Sequence, residues 1–207
     1  MTLEAVRARV DAACERAGRD PSGVKLVAVT KEASIEQVGA ALEAGCSDFG
    51  ENRAQQLAER AELVPAATWH FIGPLQTNKV RYLDKAALIH SLENERQAAA
   101  LAKRGTFDVL IEVNVAHEPQ KHGVRPADIP ALLDALGAYG SVTARGFMFM
   151  APHVENPEDV RWVFAEAAKL KERYGLDELS MGMTDDFEVA IEEGATIVRI
   201  GRAIFER

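Results

Sequence analysis

The chain is poor in several things whose absence narrows its function. Two cysteines, Cys14 and Cys46, in 207 residues are too few for a disulfide framework. Neither Cys-x-x-Cys nor His-Glu-x-x-His occurs, and His70, His90, His117, His122 and His153 show no metal-ligand spacing, so no zinc is expected. No apolar run approaches the roughly 18 residues of a membrane span, and no signal peptide opens the chain. Basic residues are outnumbered, 24 against 32 acidic, for a net charge of −8. They form no cluster, which argues against nucleic acid or an anionic membrane as the main partner. The P-loop and Gly-x-Gly-x-x-Gly patterns are also missing, which disfavours a nucleotide held in the Walker or Rossmann manner. What these absences leave is a soluble protein of a reducing, cytoplasmic compartment. A small anionic ligand stays open to it, because a local pocket can oppose the global sign.

With 47% hydrophobic residues the chain can build one well-packed core, and a single domain over residues 1–207 is the default. There is no internal repeat, low-complexity tract or Pro/Gly/Ser linker to divide it. Short apolar runs recur at 24–30, 47–49, 68–72, 87–90, 108–115, 142–147, 178–180 and 196–200, which predicts eight strands. Between them, segments 34–44, 52–62, 76–83, 93–104, 126–138, 156–174 and 185–193 have helical composition. Capping signals open three of them: Ser34 with Gln37, Asn52 with Gln55, and Asp185 with Glu188. Gly45, Gly105, Gly140, Gly175 and Gly194 follow helical stretches as C′ glycines should. A leading amphipathic segment, residues 2–17, adds a helix over one end or side of the core through Leu3, Val6, Val10 and Ala13.

Strands alternating with helices require a parallel sheet with right-handed crossovers, and eight repeats close a barrel. The expected fold is a nearly minimal (β/α)₈ barrel with an additional N-terminal helix. Strands 2 and 7 are short, so the competing architecture is an open doubly wound sheet of five to seven strands.

In a barrel every strand's carboxyl end lies on one rim, where chemistry collects. That rim contains Lys31, Phe49-Gly50-Glu51-Asn52, His70, His90-Ser91, Asn114, Ser180-Met181-Gly182-Met183 and Arg199-Ile200-Gly201-Arg202. Lys31 closes the first strand. It either snorkels to water or presents an amine able to form an imine. His70 and His90 are candidate bases, though strand-end histidines beside apolar residues more often serve packing. Gly182 and Gly201 each permit a tight turn, but together they occupy the loops after strands 7 and 8, where barrels commonly hold phosphate. An imine-forming lysine facing a phosphate cradle suggests a phosphorylated carbonyl ligand: pyridoxal 5′-phosphate, or a sugar phosphate in an aldolase-type enzyme. Schiff-base aldolases usually carry their lysine on a later strand, so the first-strand position favours the cofactor.

The segments Lys25–Lys31, Phe49–Asn52, Trp69–Lys79, Leu179–Asp186 and Val198–Gly201 resemble the pyridoxal phosphate homeostasis protein family, whose fold is the alanine racemase N-terminal barrel, fold-type III among pyridoxal phosphate proteins. The resemblance runs from about residue 4 to the C-terminus. It implies that Lys31 carries the cofactor as an aldimine with Asn52 close by. Ser180 and Gly182 would contact phosphate after strand 7, and Gly201 after strand 8. Arg199 would face the pyridine nitrogen, which an always protonated guanidinium keeps unprotonated, weakening the ring as an electron sink. Arg202 stands where many relatives have a threonine. It either replaces a neutral phosphate contact with a charged one or points outward.

Racemases and decarboxylases of this fold type complete their sites with a second domain and a dimer partner, and a racemase needs acid–base groups on both cofactor faces. Here the barrel is expected to use the whole chain, and Tyr82, Tyr139 and Tyr174 fall in or beside helices. The resemblance therefore implies a binding protein in cofactor homeostasis, a carrier, buffer or regulator. Its partners would be the cofactor and PLP-dependent apo-enzymes, and it would be a monomer or weak homodimer. A small fold-type III enzyme with weak racemase activity is the alternative.

Overall fold

The computed structural model describes residues 2–115 and 122–205. Eight parallel strands close into a barrel in sequence order. They are β1 (Lys25–Val29), β2 (Asp48–Glu51), β3 (Thr68–Phe71), β4 (Ala86–Leu92), β5 (Phe107–Glu112), β6 (Val142–Met148), β7 (Glu178–Ser180) and β8 (Ile197–Ile200). Because β1 pairs with both β2 and β8, the open-sheet alternative is excluded. The helices are α1 (Leu3–Arg16), α2 (Ile35–Glu43), α3 (Ala54–Leu63), α4 (Glu95–Ala102), α5 (Ile129–Tyr139), α6 (Arg161–Tyr174), α7 (Phe187–Glu192) and α8 (Arg202–Phe205). Among the described residues no helix is long and apolar enough to cross a membrane.

Four local expectations need correction. The segment 76–83 forms a 3₁₀ turn, Thr77–Tyr82, where an α-helix was expected. Threonine, asparagine, valine and tyrosine there are weak helix formers, and only Val80 is buried to anchor a helix face. Ser34 and Gln37 do make the capping box on α2, but α3 begins behind Arg53 with no side-chain cap, so Asn52 is free of that duty. At α7 the carboxylate of Asp186 turns back and accepts from the Met183 N–H at 2.6 Å, so the Asp185 cap does not form. Of the five C′ glycines, Gly45, Gly140, Gly175 and Gly194 adopt positive φ, whereas Gly105 does not.

Side-chain alternation along each strand splits the core into two layers. Val27, Leu88, Leu110, Met148 and Ile197 fill the barrel interior as a separate buried cluster. The outward set, including Phe49, Phe147, Phe164 and Phe187, packs between sheet and helices. Each such fully buried phenylalanine contributes about 2–3 kcal/mol of apolar transfer free energy. The added helix α1 buries Val6, Val10, Ala13 and Cys14 on one face. It is tied to α7 by a two-pronged Arg9–Glu188 pair at 3.1 and 2.7 Å and by Arg16–Glu192 at 2.7 Å. It therefore covers the side of the barrel occupied by α7 and α8.

Candidate functional site

The period-2 rule that packs the interior also selects the side chains aimed at the barrel mouth. Residues two and four beyond an inward-facing position face inward too. Val27 leads to Val29 and Lys31, Leu110 to Glu112 and Asn114, and Ile197 to Arg199 and Gly201. Pairing fixes the same register on neighbouring strands: Val27 lies beside both Arg199 and Asp48, Gly50 beside His70, and Ser180 beside Ile197. Lys31, Asn52, Gly182 and Gly201 thus meet on one rim, each just past the end of its strand.

Lys31 is half exposed, and its Nζ lies 3.8 Å from Glu32 on a still more open side chain. Such a surface pair holds the amine weakly and leaves it accessible. Beneath it the loop after β1 is fastened from α3: Arg60 donates to the Ala33 carbonyl at 2.7 Å and lies 3.8 Å from the fully buried Glu51. Burial pushes the Glu51 carboxyl above its ordinary range against the opposing charge of Arg60. Glu51 was a rim candidate by position. Its outward register instead places it behind the rim, as a support for the Lys31 loop.

The loops after β7 and β8 lie against each other. The Arg199 N–H donates to the Gly182 carbonyl at 3.0 Å, and the Met181 N–H to the Ile197 carbonyl at 3.0 Å. Gly182 has φ +90°, and an added Cβ would sit 2.6 Å from Ala190 Cβ, so no other residue fits there without displacement. The Arg202 side chain points outward to Asp185 across the two loops, at 2.8 Å, with both groups more than half exposed.

Ser180 lies deeper than the rim. Its side chain is fully buried inside the barrel, where its hydroxyl accepts from Arg199 Nη1 at 2.5 Å and meets His90 Nδ1 at 2.9 Å. What loop 7 offers the rim is therefore the backbone at Gly182. Arg199 is buried as well, and its Nη2 donates to the Phe149 carbonyl at 2.9 Å. Burial lowers its pKa to about 10, against the raising influence of Glu112 and Asp186, so it stays protonated at neutral pH. His90 Nε2 lies 2.9 Å from His70 Nδ1, and His70 Nε2 lies 3.0 Å from Asp48 Oδ1. Burial, with the positive charges of Arg199 and Lys25, holds His90 far below the usual imidazole range. These histidines are interior groups joined in one polar column, and neither is open to the rim.

The site residue hardest to see in the sequence is Glu112. It is buried, and burial next to Glu93 pushes its pKa up to about 7 despite the opposing charges of His122 and Arg199. It lines a cavity of about 320 Å³ together with Asn114, Phe149, His153 and Met183. The strand register was the available signal, since Glu112 lies two residues beyond Leu110 on the inward face. His117 lies outside the described residues. Tyr82, Tyr139 and Tyr174 sit in the 3₁₀ turn, in α5 and in α6, away from the barrel mouth.

A closed parallel barrel with an accessible lysine after its first strand, glycine loops after its last two and a buried arginine at its mouth defines a class of protein that comparison makes specific. The alanine racemase N-terminal domain family matches residues 1–206. An alanine racemase from Corynebacterium glutamicum shares the fold at TM-score 0.71 and 18% identity, covering 98% of this chain and 61% of that one. A "Pyridoxal phosphate homeostasis protein" of Aquifex aeolicus is 43% identical over 98% of this chain and 95% of its own length. The structure of PipY from Synechococcus elongatus with PLP bound aligns at TM-score 0.81 and 32% identity, over 97% of this chain and 99% of that one. The chain belongs to the pyridoxal phosphate homeostasis protein family.

Proposed function

We propose that this chain binds pyridoxal 5′-phosphate covalently at Lys31 and acts in intracellular cofactor homeostasis as a carrier, buffer or regulator. The observation that carries this reading is the accessible Lys31 amine on the same rim as the Gly182 and Gly201 loops, above the buried Arg199. The donor set fits the group. Lys31 supplies the amine, the backbone of the two loops and the outer end of β8 offer N–H groups for a phosphate, and Arg199 supplies a cation for the ring nitrogen. Asn52, exposed and relieved of any capping role, is free to orient the ligand beside Lys31. When bound, the cofactor supplies an electron sink for amine chemistry, and an arginine at the ring nitrogen leaves that sink weak. These features favour holding the cofactor over using it, with PLP-dependent apo-enzymes as recipients, a cytoplasmic setting and a monomer or weak homodimer as the working form.

One observation favours the enzymatic alternative, a weak fold-type III racemase. Glu112 is an inward-facing group whose proton is held to about 7, the range of a general acid or base. Incubating the loaded protein with L-amino acids in deuterium oxide separates the two. Exchange limited to one equivalent fits a carrier, and sustained turnover fits the enzyme. Attachment itself is tested by borohydride reduction of the loaded protein and mass mapping. The modification is expected on Lys31, and Lys31→Ala is expected to abolish both it and the visible absorbance. Full absorbance in that variant refutes the assignment.

A further inference from the structure

Five polar side chains run in line through the barrel interior, from Asp48 by way of His70, His90 and Ser180 to Arg199. At its lower end Asp48 lines a cavity of about 300 Å³ with Lys25 and Arg7. At its upper end stands the arginine assigned above to the ring nitrogen. The hydrogen-bond polarity of this column follows from its two ends. Arg199 can only donate and the Asp48 carboxylate can only accept. Arg199 donates to Ser180, whose hydroxyl then donates to His90 Nδ1. With His70 neutral, His90 carries its proton on Nε2 and gives it to His70 Nδ1, and His70 in turn donates from Nε2 to Asp48. Every contact is matched with both imidazoles neutral and in the Nε2–H form. The reverse orientation at His90 would require His70 to be doubly protonated.

We infer that Asp48, His70 and His90 are positioning residues for the cofactor site: they fix the Ser180 hydroxyl and the Arg199 guanidinium from below, as one directional hydrogen-bond column. This rests on the reading that Arg199 meets the cofactor ring. The column also places an anion at the far end of aligned dipoles from a buried cation, an arrangement in which each bond polarises the next. The charged groups facing it are Lys25 beside Asp48 and His90, and Glu112 and Asp186 beside Arg199. Burial opposes ionisation of Asp48, yet hydrogen bonds from His70 and Ser47 and the charge of Lys25 hold it below the ordinary carboxylate range. This agrees with an ionised acceptor at the lower end.

The test has two separate readouts on the purified full chain. Long-range ¹H–¹⁵N correlation of the protein without pyridoxal 5′-phosphate reports the tautomers, with His70→Gln and His90→Gln assigning the signals. Both histidines are expected as Nε2–H at mildly alkaline pH, and an Nδ1–H form at His90 overturns the column. Titration with pyridoxal 5′-phosphate then compares wild type with Asp48→Asn, a substitution at the partly open end that keeps shape and an acceptor oxygen but removes the charge. Retention of the ligand is expected to weaken about fivefold, with an altered pH profile of the bound absorbance, the equivalent of about 1 kcal/mol. Wild-type retention and profile in Asp48→Asn refute the positioning role. If borohydride fails to trap the ligand on Lys31 of the wild type, the cofactor reading fails while the tautomer result stands.

Discussion

Replacing Glu112 with glutamine should stabilise the protein, and more so as pH rises. The carboxyl ionises at 4.5 in an open chain and at about 7 here, and only 4% of the residue is exposed, so solvent screening reduces the effect little. The native state therefore binds this proton more tightly than the unfolded chain does. The stability it confers is fully present below about pH 4.5 and is lost as pH rises through about 7, after which the curve is level. At about 1.4 kcal/mol for each pH unit, the difference between 4.5 and about 7 amounts to about 3 kcal/mol at most. Glutamine keeps the shape and cannot ionise, so the gap between variant and wild type should open by about 1–3 kcal/mol between about pH 5 and about pH 8. Urea unfolding followed by tryptophan fluorescence, whose change on unfolding comes mainly from Trp69, buried beside Phe49 with ring centroids 5.7 Å apart, while Trp162 is already half exposed, measures it. Parallel pH curves for the two proteins would refute burial as the cause of the perturbed proton affinity.

Other substitutions probe the rim. Gly182→Ala must place a Cβ 2.8 Å from the Phe187 backbone at φ +90°. It should cost about 2 kcal/mol or more in denaturant unfolding and release pyridoxal phosphate in dialysis. Arg202→Ala removes an ion pair whose partners are 60% and 56% exposed. Its melting temperature and ligand retention should match wild type, within about 0.5 kcal/mol, and a large loss of retention would mean that Arg202 reaches the phosphate after all.

The architecture was legible in the sequence because each of the eight apolar runs coincides with a strand, down to the three-residue β7. Parallel strands buried on both faces announce themselves as continuous apolar runs whatever their tertiary partners. The rim was legible for a related reason: once the strands are placed, their carboxyl ends share a face, and Lys31, Asn52, Gly182, Arg199 and Gly201 follow. Helix starts were less secure, as Asn52 and Asp185 show, because a capping pattern can be outcompeted by a side chain that bonds elsewhere, as Asp186 does to Met183.

Tertiary structure decided which way the polar residues point and what they touch. The sequence places Ser180 beside a glycine loop. Only closure of the barrel brings Asp48, His70 and His90, on three different strands, into line with it and with Arg199. Glu112 reads as the polar end of an apolar strand until burial next to Glu93 changes its proton affinity. Arg202 could turn either way until the β7 and β8 loops set Asp185 within reach. Hydrophobic patterning is local and survives in one dimension. Hydrogen-bond partners, desolvation and charge pairing depend on distances between residues up to 179 positions apart, and only the closed barrel sets them.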